Sequence, residues 1–137
     1  MGSVTVKRNI AVQVIVTEKF REELQAELRE AADATQQRID QMEFRSRRVL
    51  ADLQQTDLAQ AMNARRQFEG EKRRQEAIKQ ELLDELEAAA KLELGSEYPR
   101  GTLEGTVELA EGEDLLEKLG GCQIVVKDGV VVEIRKP

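Results

Sequence analysis

The stretch from Thr17 to Leu94 contains no proline and a single glycine, Gly70. A polar stretch of that length without chain breakers has one economical solution, which is long solvated helix. Thr17 supplies an N-cap, Glu18 sits in the first turn, and Phe20 opens an apolar stripe. The stripe runs through Leu24, Leu28, Ala31, Thr35, Ile39, Met42, Ser46, Val49 and Leu53. Its steps alternate between three and four, with an average of roughly 3.67, the period of a hendecad rather than a heptad. Such a seam is nearly straight or slightly right-handed.

The pattern falters in LQQTDLAQ, where Thr56-Asp57 offers a second N-cap. A second stripe follows through Leu58, Ala61, Ala64, Phe68, Glu71, Gln75, Ile78, Leu82, Leu86, Ala89 and Leu92. Gly95-Ser96 is expected to end it, with Pro99 soon after. The helical stretch thus divides near residues 54–57 into two arms of similar length, each reaching roughly 55 Å at 1.5 Å per residue. An antiparallel coiled-coil hairpin is the expected result. The competing topology is one continuous rod, longer than about 110 Å, whose first strand would meet the C-terminal strands of a neighbour.

Strands flank the helices. In VTVKRNIAVQVIVT, Val4, Val6, Ile10, Val12, Val14 and Val16 fall on even positions, a period of two with one buried face. Arg8 interrupts that face, so a bulge, a bend or a fraying end is expected near Arg8-Asn9. GTLEGTVELA alternates Leu103, Val107 and Leu109 with polar residues, and EGEDLLEKLGG reads as a helical turn or two. CQIVV and VVVEI join through Lys127-Asp128-Gly129, where Asp-Gly suits the positive φ angles of a hairpin turn. A lone hairpin is marginal in water, so the missing partner is the first strand.

The fold class that follows is α+β. A long antiparallel helical hairpin (residues 17–94) projects from a small, mostly antiparallel β domain made from residues 1–16 and 95–137. The stretches VIVTEKFREEL, QMEFRSRRVL, LELGSEYPRGTLEGTVEL and IVVKDGVVVEIR resemble the YlqD family of bacterial proteins, over nearly the whole chain. The resemblance implies the same strand, coiled coil and small β domain layout. It brings no activity, cofactor or site residue.

Chemistry-bearing motifs are scarce. The chain has no histidine and one cysteine, Cys122, set in an apolar strand pattern as a buried structural thiol would be. Histidine bases, His-dependent nucleophile systems and most zinc sites are therefore excluded. No phosphate-cradling glycine motif is present. Carboxylate pairs such as Glu22-Glu23, Asp84-Glu85 and Glu113-Asp114 have no further oxygen ligands near in sequence, so no metal or cofactor is expected. No apolar run reaches the roughly 18 residues of a membrane span and no leader follows Met1, which predicts a cytoplasmic protein.

Charge supplies the one candidate site. The chain carries a net charge of −6, yet residues 45–66 hold Arg45, Arg47, Arg48, Arg65 and Arg66 against Asp52 and Asp57, a local +3. A hairpin turning at residue 55 or 56 would set Arg45 level with Arg66. The ordinary account is a solvated helix face. The functional account is a contact with a partner protein, because arginine forks suit carboxylate or phosphate. A scaffold or protein-interaction factor without enzymatic activity is the leading expectation. The alternatives are an RNA- or ribosome-associated factor using the same arginines, and a chaperone-like holder using Leu58 and Met62 at the tip. The seam is thin at Ala31, Thr35, Ser46, Ala64, Glu71 and Gln75, which predicts a homo-oligomer of at least two chains.

Overall fold

A computed structural model describes residues 2–136. In chain order the elements are β1 (Ser3–Ile15), α1 (Glu18–Thr56), α2 (Leu58–Ala90), β2 (Glu97–Ala110), α3 (Leu115–Leu119), β3 (Gln123–Lys127) and β4 (Val130–Arg135). They form two compact units. One runs up to Arg21 and resumes at Leu92; the other is Glu22–Lys91.

The first unit is a four-stranded mixed sheet in the order β2-β1-β3-β4. Most of its pairing is antiparallel, as the alternating sequence implies, but β1 and β3 run parallel. β1 is therefore a central strand. Val4, Val6 and Ile10 stand opposite Leu109, Val107 and Leu103, and Val12 and Val14 opposite Ile124 and Val126. These residues share one apolar face. The other face is mostly polar, though it also carries Ala11, Ile15 and the buried Val125, with ion pairs between Lys7 and Glu104 at 3.2 Å and between Glu97 and Arg135 at 2.7 Å.

The expected irregularity at Arg8-Asn9 is absent. β1 runs through Arg8 in register, opposite Gly105, and the shift comes between Ala11 and Gln13. There β2 carries the extra residue at Arg100-Gly101, with Gly101 at a φ of 88° that a side chain would oppose. Arg8 needs no bulge because its Nη1 donates to the Lys118 carbonyl at 2.9 Å. That carbonyl lies in the last turn of α3, where no helical N–H can reach it. The β3–β4 turn has Asp128 at φ 47° and Gly129 at φ 82°, the pair of left-handed residues that a two-residue hairpin requires.

Thr17 links the turn to α1. Its Oγ1 accepts from the Phe20 amide at 3.1 Å and donates to Asp128 Oδ1 at 2.7 Å. Phe20 is buried, with its ring 5.6 Å from that of Tyr98. Helix α2 stops at Ala90, short of the expected Leu94. The Leu92 carbonyl accepts from Arg21 Nη1, and the Glu93 carbonyl from the Ser96 amide and hydroxyl. Backbone bonds between Val16 and Ser96 and between Gly95 and Val16 then draw the chain toward the sheet.

The second unit is the helical hairpin. The chain breaks at Asp57, whose side chain accepts from the Gln60 amide at 3.2 Å as the N-cap of α2. Gln36 meets Lys79, and Glu43 meets Lys72 at 2.6 Å. Facing residues therefore add to 115, four more than the 111 implied by a turn at residue 55 or 56. Leu24, Ala32, Thr35, Ile39, Ala61 and Ala89 are buried along the seam. Ile78, expected there, is turned outward, and Lys79 takes the half-buried position.

Candidate functional site

At 100° per residue, Phe44 lies about 200° around α1 from both Met42 and Ser46 of the seam. It is consequently exposed, at 64% of its surface, and is the most exposed phenylalanine of the chain. A shallow cleft of about 450 Å³ beside it is lined by Asp40, Gln41, Arg45 and Arg48. Arg45 and Arg48 are one turn apart and stand on the Phe44 side. The outer face of α1 therefore combines one aromatic ring with two guanidinium groups.

The remaining arginines go elsewhere. Arg47 lies on the flank near Lys72, where its charge opposes that of the lysine. Arg65 lines a narrow groove of about 190 Å³ between the helices, with Met42, Ser46, Leu50 and Phe68 among its walls. Glu43, Glu69 and Lys72 join it there. Arg66 is exposed and lines neither depression. With a register sum of 115, Arg45 lies level with Gly70 rather than with Arg66. The five arginines thus do not form one patch; two of them share a face with Phe44.

The groove contains an ion pair that joins the two helices. The Lys72 ammonium is held by the Glu43 carboxylate, which raises its pKa above the usual lysine value. Glu71 is held below the usual range by hydrogen bonds from Arg74 and Gln75. The tip exposes two apolar side chains, Leu58 and Met62, each by more than half. Sequence reasoning passed over Phe44 as a contact residue. The signal was available, since an aromatic residue two places from each of two seam residues faces away from the seam.

The sheet unit has a larger cavity, about 830 Å³ and open to solvent. Its lining combines the apolar side chains of Val107, Cys122 and Ile134 with the charged ones of Glu113, Asp114, Glu117 and Lys118. Arg8 lines it too, with Nε buried and unbonded. Cys122 is half-buried, one residue before β3. Among the described residues no group of three or more His, Cys, Asp or Glu side chains converges as metal ligands would. None of the described helices is long and apolar enough to cross a membrane.

A two-helix hairpin within a chain whose N- and C-terminal strands make one mixed sheet defines an α+β class of protein. A crystal structure of a protein of unknown function from Synechococcus sp. WH 8102 has the same fold. It superposes with a TM-score of 0.88 at 27% identity, over 98% of this chain and 96% of that one. The uncharacterized protein YlqD of Bacillus subtilis strain 168 is 27% identical over 128 residues, 93% of this chain and 94% of that protein. The family model for YlqD protein matches residues 4–135, and the chain belongs to the YlqD family.

Proposed function

We propose that the protein is a non-enzymatic interaction factor whose helical hairpin binds an acidic partner protein along the outer face of α1. The observation that carries this reading is Phe44, exposed beside one cleft with Arg45 and Arg48. Aromatic and arginine side chains dominate the energetics of protein interfaces. A ring supplies apolar area at low entropic cost, and a guanidinium pairs with carboxylates in a fixed geometry. The local positive charge on a chain of net −6 favours an acidic partner surface. Leu58 and Met62 expose further apolar surface next to the α1–α2 turn. The setting is the cytoplasm, where a lone thiol such as Cys122 stays reduced.

A photo-crosslinking residue at Gln41, with one at Glu85 as control, tests the site in living cells. An adduct specific to position 41 identifies the partner, which is then titrated against the purified protein. The expected result is at least tenfold weaker binding by Phe44→Ala and by Arg48→Ala, with circular dichroism unchanged. Binding unaffected by either variant would overturn the reading. So would a nuclease-sensitive adduct whose affinity falls steeply with salt, since that behaviour belongs to a nucleic acid ligand.

A further inference from the structure

The apolar face of the sheet has no core. Every apolar side chain that β1, β2, β3 and β4 place on it is half-buried or exposed. Val4, Leu103, Val131 and Ile134 are each more than half exposed. The fully buried residues of this unit lie elsewhere: Val16 and Phe20 follow β1, and Val125 is on the polar face beside Gln13. A sheet with one apolar face requires a second layer. Within the sheet unit that layer consists of the first turn of α1, against Tyr98, and the short α3.

Helix α3 covers the face poorly, because its apolar side chains are turned out. Leu116 is 80% exposed and Leu115 is more than half exposed, while Lys118 is the half-buried residue. Its Nζ pairs with Glu113 at 2.6 Å and its carbonyl takes the Arg8 hydrogen bond. Between α3 and the strands lies the open 830 Å³ cavity, where Arg8 Nε has no partner.

We propose that the apolar sheet face and the outward leucines of α3 are covered by the same surface of a second copy, in a twofold dimer joined at its sheets. Val4, Leu103, Val131, Ile134, Leu115 and Leu116 together expose roughly 500 Å² along the sheet and α3, at about 150 Å² per fully exposed aliphatic residue. The half-buried neighbours bring the surface toward the roughly 800 Å² per partner of a stable interface. An isologous contact needs only one self-complementary patch. The need also arises as soon as the sheet forms, so the occupant must be present whenever this chain is made, which a second copy satisfies.

The test is mass by light scattering and sedimentation between about 0.1 and 100 μM, bracketing a micromolar Kd. The expected mass is twice 15.5 kDa. Val131→Lys and Leu116→Lys each place a charge on a side chain already solvated in the single chain, and should weaken the dimer at least 100-fold. Thr5→Lys, on the polar face, should leave it intact. In a mixed sample of ¹³C-labelled and unlabelled wild-type chains, intermolecular NOEs should reach the Val131 and Ile134 methyls. A monomer throughout the range would overturn the proposal. A dimer that tolerates both lysines, or that shows no intermolecular NOE at those methyls, would do the same.

Discussion

Ile39 and Ile78 occupy equivalent places in their two stripes, yet Ile39 is 3% exposed and Ile78 is 43% exposed. Truncating each to alanine therefore separates burial from pattern. Ile39→Ala removes three carbons from the seam, about 2.4 kcal/mol at 0.8 kcal/mol per methylene. A residual cavity adds to that, but neighbours in a two-helix seam can close much of the gap, so a total of about 2.5–3 kcal/mol is expected. Ile78→Ala loses a fraction of its contact area and gains a few tenths of a kcal/mol in helix propensity. Its net effect should stay within about 0.5 kcal/mol. Amide exchange across α1 and α2, together with urea titration followed at 222 nm, measures both. Equal losses from the two variants, or a larger loss from Ile78→Ala, would refute the outward placement of Ile78 and the half-buried placement of Lys79.

Gly70 lies within α2 with open space around the position of a side chain, so Gly70→Ala should stabilise the hairpin by about 1 kcal/mol in the same titration. Thr17→Val removes both the helix cap and the bond to Asp128, and should cost about 1–2 kcal/mol, read as faster amide exchange at Phe20 and in the β3–β4 turn. The Lys118 ammonium, then the Ala110 amide, hold the Glu113 carboxyl below the usual glutamate range. A carboxylate with a depressed folded pKa contributes stability above its unfolded value of about 4.3, and that contribution is lost as pH falls through the folded value. Exchange at Leu116 and Glu117 should accelerate over that acidic window in the wild type, and Glu113→Gln should remove this dependence.

Much of the architecture was legible because its signals are local. Alternating valines marked β1, Asp128-Gly129 marked the hairpin turn, and Asp57 marked the break between helices. The features that escaped depend on residues distant in sequence. Lys79 enters the seam because Gln36 receives it at 2.6 Å, and a periodicity read on one helix carries no information about the other. Arg8 sits in an unbroken strand because a carbonyl 110 residues later accepts its proton. The early end of α2 follows from bonds to Val16 and Arg21. The arginines were grouped by proximity along the chain, whereas in the structure Arg45 and Arg48 share the cleft beside Phe44 and Arg47 stands near Lys72. Angular position, applied to Phe44, would have found the aromatic ring beside that cleft.

The central place of β1 also has a consequence for synthesis. This strand is made before β2 and β3, both of which bond to it, and β2 begins only at Glu97, after both long helices. At roughly 5–20 residues per second, translation leaves β1 without either neighbour for about 4–16 s. During that interval its valines and both backbone edges are open to any other strand in reach. Sheet assembly is therefore deferred until the C-terminal third emerges, and nascent chains are most exposed to mispairing while the helical arms are being synthesised.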